Sequence, residues 1–102
     1  MLKDQRILIT GANGGIGTSI CEILLQNNAN LVLLYNQKRD NIDKLLKMYG
    51  NSSSVETQQV DLLDNHKLEN IMNLVLKSGQ IDTFIHSATL AIKIKRIMDI
   101  RW

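Results

Sequence analysis

The sequence predicts an α/β fold, a three-layer, doubly wound parallel sheet with helices on both faces and strand order 3-2-1-4. Three observations predict it. Apolar runs of strand length alternate with segments of helical spacing along the chain, as βαβαβαβ. A glycine-rich turn, Thr10-Gly11-Ala12-Asn13-Gly14-Gly15-Ile16-Gly17, separates the first strand from the first helix. No proline, internal repeat or low-complexity linker breaks the alternation. Parallel strands joined by helices must cross over right-handedly, which fixes the order.

The first strand is the apolar run within residues 6–10. The helix that follows begins at Ile16 and places Ile16, Ile20, Ile23 and Leu24 at i, i+4, i+7 and i+8, a face expected to pack on the sheet. Asn27-Asn28-Ala29-Asn30 breaks that helix. Leu31-Val32-Leu33-Leu34-Tyr35 is apolar throughout, as a central strand covered on both faces requires. A second helix carries Ile42, Leu45, Leu46 and Tyr49 on one side, with Gly50 as its C′ residue and 51–54 as a loop. Val55 to Val60 contains Glu56, Thr57, Gln58 and Gln59, too polar for a doubly buried strand, and suits a sheet edge. Asp64 caps a third helix with the face Leu68, Ile71, Met72 and Val75, and Gly79 ends it. Asp82-Thr83-Phe84-Ile85-His86 is the fourth strand.

The glycine turn reads as a phosphate cradle. A strand that turns at once into a helix needs a positive φ, which Gly11 supplies without a Cβ penalty. Gly15 lets the backbone approach a pyrophosphate, and Gly17 lets the helix pack tightly on the strand. The helix start then points unpaired N–H groups and its positive dipole end at the anion. This is the Rossmann-type arrangement.

Thr-Gly-x-x-x-Gly-x-Gly, over Thr10 to Gly17, is the spacing of the short-chain dehydrogenase/reductase family, which the chain resembles over almost its whole length. The resemblance implies a nicotinamide cofactor and hydride transfer to or from a carbonyl. Around Tyr35-Asn36 it is similar to 3-oxoacyl-carrier-protein reductases. Residues 1–102 then read as the N-terminal NAD(P)-binding half-domain of such an oxidoreductase, truncated after the fourth strand and incomplete at the C-terminus.

The resemblance also assigns residues. Gly11, Asn13, Gly14, Gly15, Ile16 and Gly17 hold the cofactor at the turn. After the second strand, an acid would bind the ribose of NAD, whereas basic residues accommodate the extra phosphate of NADP. Asn36 is followed by Lys38 and Arg39, and the first acid, Asp40, falls in the following loop, so NADP is expected ahead of NAD. Gly14 departs from this pattern, because NADP-binding relatives often place a basic residue there. Asp61 and Leu62 stand where the family contacts adenine. His86-Ser87-Ala88-Thr89 replaces the family's Asn-Asn-Ala-Gly, so Ser87 and Ala88 line the cofactor, while His86 is a strand-end residue and not a catalytic base.

The family's reaction needs a tyrosine followed four residues later by a lysine. Four after Tyr35 is Arg39, and four after Tyr49 is Ser53, so no residue receives the catalytic role. The chain is expected to be inactive alone. Two alternatives stand beside this reading: a non-enzymatic nucleotide-binding module, and one subunit of a split reductase. The fourth strand lacks lysine, proline or glycine in Thr83-Phe84-Ile85, so self-association or a complementing C-terminal chain is expected at that edge.

Composition closes off other classes. A formal net charge of +2 gives no case for nucleic acid, and no apolar run reaches the roughly 18 residues of a membrane span. One cysteine, Cys21, excludes an internal disulfide and at its helical spacing reads as a small buried group. Met1-Leu2-Lys3-Asp4 leads almost directly into the first strand without a signal sequence, which points to the cytoplasm.

Overall fold

The computed structural model describes residues 4–49 and 55–87. Its elements are β1 (Arg6–Thr10), α1 (Gly15–Gln26), β2 (Asn30–Tyr35), α2 (Asp40–Tyr49), β3 (Val55–Gln59), α3 (Asn65–Lys77) and β4 (Thr83–His86). The four strands form one parallel sheet in the order β3-β2-β1-β4, as the alternation predicts. Arg6 to Thr10 pair with Asn30 to Leu34, and Ile7 to Thr10 pair with Thr83 to His86. The expected C′ role of Gly50, the loop 51–54, Ala88 and the stretch 90–102 lie outside the described residues.

Alternation along the central strands divides the core between two layers. Ile7, Ile9, Leu31 and Leu33 point to the face covered by α1 and α2, where they meet Cys21, Leu25, Ile42 and Leu45. Leu8, Val32 and Leu34 point to the other face and meet Leu68, Met72 and Val75 of α3. Both faces of β1 and β2 are therefore apolar, whereas β3, paired only with β2, keeps its polar residues at the sheet edge.

The expected face of α1 is corrected. Ile16 is 74% and Ile23 59% exposed, and the residues turned fully inward are Gly17, Cys21 and Leu25, with Ile20 and Leu24 partly buried beside them. The contact with the sheet runs through Cys21 and Leu25, with Gly17 at its start and Ile20 and Leu24 along its margin. Cys21 is buried, and desolvation pushes its thiol up to about 12, so it remains a protonated thiol at neutral pH. Helix α1 begins one residue earlier than its periodicity implies, and β4 is one residue shorter. Asn27 caps the end of α1 and Asn28 takes φ 63°, a left-handed conformation that asparagine tolerates.

At the N-terminal ends of the strands, Arg6 gathers the elements together. Its Nη1 donates to the carbonyls of Val75 (2.9 Å) and Gly79 (2.6 Å), and its Nη2 donates to Glu56 Oε1 (3.3 Å). Its backbone N–H donates to Asp82 Oδ2 (2.8 Å). The guanidinium thus satisfies the carbonyls at the end of α3, where the helix dipole also favours a cation. The carboxylate of Glu56 is the lesser partner, because it is 32% exposed and solvent screens the pair. Arg6→Met is expected to lower stability by about 2 kcal/mol through the orphaned Gly79 carbonyl and the lost bond to Val75, whose carbonyl keeps the Ser78 N–H, whereas Glu56→Gln costs at most about 0.5 kcal/mol. Urea denaturation of both variants checks this ranking, and equal losses would contradict it.

Candidate functional site

The opposite end of the sheet carries the glycine turn. Gly11 takes φ 64°, the conformation that required glycine in the sequence. The N–H of Ala12 donates to the carbonyl of Leu34 (3.3 Å), and that of Gly14 donates to the carbonyl of Gly11 (3.1 Å), folding the turn over the ends of β1 and β2. Gly14 is the N-cap of α1 and contributes no side-chain hydrogen bond, and no acid lies in the first turn. Helix geometry gives the N–H groups of Gly15, Ile16 and Gly17 no acceptor within the helix. By contrast, Asp64 accepts from the N–H of Lys67 at the start of α3 (3.1 Å).

The glycines differ in what they make room for. A Cβ on Gly17 would collide with the carbonyl oxygen of Gly11 and lie 2.8 Å from Ser87 Oγ, so the first turn of α1 is packed against the glycine turn and the end of β4. A Cβ on Gly15 would meet nothing within 4 Å, which leaves the open space an anion needs beside the backbone. Ser87 Oγ donates to the carbonyls of Thr10 and Gly11, and its N–H also donates to Thr10 (3.2 Å). Thr10 is fully buried, and its hydroxyl lies 2.7 Å from His86 Nδ1. Ser87 and His86 thus brace the turn from β4.

Between the turn and the segment after β2 lies a cleft of about 350 Å³, lined by Gly11, Asn13, Gly14, Tyr35, Asn36, Gln37 and Lys38. Sequence reasoning brought the turn, Asn36 and Lys38 here. It missed Tyr35 and Gln37 as walls, although they flank those residues in the chain. Arg39, expected to face the same space, is turned toward α2. Its Nε donates to Asp43 Oδ1 (2.9 Å), its Nη1 donates to the Tyr35 hydroxyl (3.2 Å), and its Cζ sits 5.3 Å from the Tyr35 ring centroid. The hydrogen bond to Asp43 raises its already high pKa further.

One further expectation changes. Asp40 is the first residue of α2 rather than part of a loop, and Asn13 Nδ2 donates to its Oδ1 (2.9 Å). That bond is the main reason its carboxyl titrates below the ordinary value. Asn13 Oδ1 in turn accepts from the N–H groups of Asn41 (2.9 Å) and Ile42 (3.0 Å), so its side chain is committed to α2. At the end of β3, Asp61 Oδ1 accepts from the N–H of Leu63 (2.9 Å), and Leu62 is buried against the α3 layer. Ala88 lies outside the described residues.

The glycine geometry makes a testable contrast. Gly17→Ala is expected to cost about 3 kcal/mol or more, because backbone and not a flexible side chain blocks the methyl group. Gly15→Ala folds within about 1 kcal/mol of the parent. Thermal or urea unfolding of the two variants decides, and comparable stability would show that the turn can move away.

Comparison with known proteins agrees with this architecture. The short chain dehydrogenase family matches residues 5–101. An uncharacterized oxidoreductase of Staphylococcus saprophyticus is 35% identical over 94 residues, covering 87% of this chain and 39% of its own length. The NADP(+) shikimate dehydrogenase of Methanosphaera stadtmanae is 33% identical over 72 residues, covering 71% of this chain and 24% of its own length. A metagenomic short-chain oxidoreductase, solved in complex with NADP, superposes with a TM-score of 0.76 at 22% identity over 87% of this chain and 41% of its own, a likeness of fold. The chain therefore spans between a quarter and two fifths of the length of these relatives. With its four-stranded parallel sheet and its Thr10–Gly17 turn, it belongs to the short-chain dehydrogenase family.

Proposed function

We propose that this chain is the nucleotide-binding half of an NADPH-dependent carbonyl reductase, binding NADP(H) in preference to NAD(H) and inactive by itself. The observation that carries the reading is the uncapped start of α1, with open space beside Gly15, next to a cleft that Lys38 lines. The fit is chemical. A diphosphate takes the N–H groups of Gly15, Ile16 and Gly17 together with the helix dipole. The exposed Ile16 offers apolar surface beside them. Lys38 supplies a cation for the 2′-phosphate, and Asp61 with the Leu62 N–H receives adenine. Gly11 and Ser87 shape the cradle from behind, and Asn36 forms its far wall. Among the relatives, the shikimate dehydrogenase is named for NADP(+), which supports the choice of cofactor.

When bound, the nicotinamide supplies the hydride. The family's Tyr-x-x-x-Lys pair is absent from these 102 residues, so nothing here donates the proton or polarises the carbonyl. A second reading is a non-enzymatic nucleotide-binding module or one subunit of a split reductase. A complementing chain, or a second copy docked at β4, belongs to the same proposal.

Two outcomes are expected. Titration with 2′,5′-ADP gives a dissociation constant on the order of 0.1–1 mM, tighter than 5′-AMP, and Lys38→Ala lowers that preference about three- to ten-fold. Tighter binding of 5′-AMP would overturn the cofactor choice. Purified chain oxidises no NADPH in the presence of ketones, since loss of general acid catalysis alone costs about 10²–10⁴-fold. Ketone-saturable turnover by protein free of host reductases would refute inactivity.

A further inference from the structure

The two walls of the cleft come from different stretches of chain. One is the glycine turn, and the other is the segment from Tyr35 to Lys38. Beneath them runs a single long backbone bond, from the N–H of Ala12 to the carbonyl of Leu34 (3.3 Å). Above them the connection is Asn13. Its Oδ1 accepts from the N–H groups of Asn41 and Ile42, its Nδ2 donates to Asp40 Oδ1, and its backbone carbonyl accepts from Asn41 Nδ2 (2.9 Å). The start of α2 follows directly on Lys38 and Arg39, so whatever fixes that start also fixes the second wall.

We infer that Asn13 is a positioning residue that sets the separation of the two walls by capping α2 from the turn, and that it acts on the nucleotide through this spacing rather than by touching it. The inference rests on the nucleotide-binding reading above. An amide oxygen has two acceptor positions, and two helix N–H groups fill both. Its NH₂ is anchored on Asp40, whose low carboxyl pKa fits a carboxylate held by that donor. The arrangement is an N-cap supplied from 27 to 29 positions away in the chain rather than by a neighbour. One amide hydrogen of Asn13 lies outside this cap, so capping and direct phosphate contact make separate predictions.

An exchange of side chains separates positioning from contact. Asn13→Ala removes the cap, whereas the double variant Asn13→Asp with Asp40→Asn restores an acceptor for α2 and a donor between the two positions at unchanged net charge. By ¹⁵N-resolved hydrogen exchange, Asn13→Ala is expected to lose protection at the amides of Asn41 and Ile42. Signals of Gly14, Gly15 and residues 36–38 shift with it. Its affinity for 2′,5′-ADP falls about five-fold, the effect of a lost cap of average strength. The Asp40 carboxyl returns toward its ordinary pKa. The double variant regains protection, with affinity within about two-fold of the parent.

Direct contact predicts otherwise: the double variant would recover protection at Asn41 and Ile42 yet bind as weakly as Asn13→Ala, and that result overturns the inference. So does unchanged affinity in Asn13→Ala despite lost protection. If the parent binds neither 2′,5′-ADP nor 5′-AMP, the nucleotide reading fails. The exchange data then still decide whether Asn13 ties the walls, and unshifted signals at Gly14, Gly15 and 36–38 would overturn that too. Should Asn13→Ala not fold, Asn41→Ala, which removes the side-chain donor to the Asn13 carbonyl, is expected to give the same pattern at smaller amplitude.

Discussion

The contact on which the rest depends is the approach of Gly17 to the carbonyl of Gly11. It lets α1 begin directly over the end of β1, with no room for a methyl group between them. Three consequences follow from that one distance. The helix axis lies close enough to the sheet for Cys21 to fill the interface, the N–H groups of Gly15 to Gly17 remain at the mouth of the turn, and Ser87 reaches Thr10 and Gly11 from β4. Without the close approach, α1 would stand farther from the sheet and the turn carbonyls would lose their donor. Glycine at position 17 is thus a packing requirement, whereas glycine at position 15 leaves space at the surface.

The two ends of the sheet solve opposite problems. At the N-terminal end, Arg6 satisfies the carbonyl of Gly79 and adds a second donor to that of Val75, and it does so with a partly buried side chain that also reaches Glu56. Unmade bonds there would cost more than the bonds add, so this end is closed. At the C-terminal end, the donors of α1 are left open while α2 and α3 are capped by Asn13 and Asp64. One uncapped helix among the three of the described residues concentrates positive potential beside the cleft.

Much of this was legible in the sequence, for physical reasons that differ by residue. The buried strands show as continuous apolar runs because both faces are covered, and the order β3-β2-β1-β4 follows from handed crossovers. Gly11 was legible because a positive φ leaves few choices of residue. The inward face of α1 was not. Periodicity weights large apolar residues, and here the inward stripe runs through Gly17, Cys21 and Leu25, two of them small, so Ile16 and Ile23 are exposed. The pairing of Arg39 with Asp43 stands at i, i+4, a spacing that favours such pairs on any helix, but a basic residue just after the second strand equally suits a phosphate. Asn13 capping α2, and Arg6 closing α3, join residues far apart in the chain. No local pattern announces them.

The charge around the cleft bears on how strongly a 2′-phosphate can be preferred. Residues 38–43 contain two cations and two acids, and they do not cancel evenly in space. Arg39 is spent on Asp43 and Tyr35, and Asp40 is held by Asn13, which leaves Lys38 as the cation on the cleft wall. A lysine is a flexible point charge without the fork geometry that lets arginine grip a phosphate in two places, and solvent ions screen it. The backbone does not demand this economy. Gly14 has φ −72°, and a Cβ there would sit 3.4 Å from the Gly11 carbonyl, an ordinary contact, so the turn has room for a side chain at that position. That the turn itself carries no cation therefore comes from the choice of residue at position 14 and not from the geometry of the turn. Under the proposed NADP(H) reading, discrimination between the two dinucleotides would rest, among the described residues, on one exposed ammonium group, and the glycine turn would bind the diphosphate common to both.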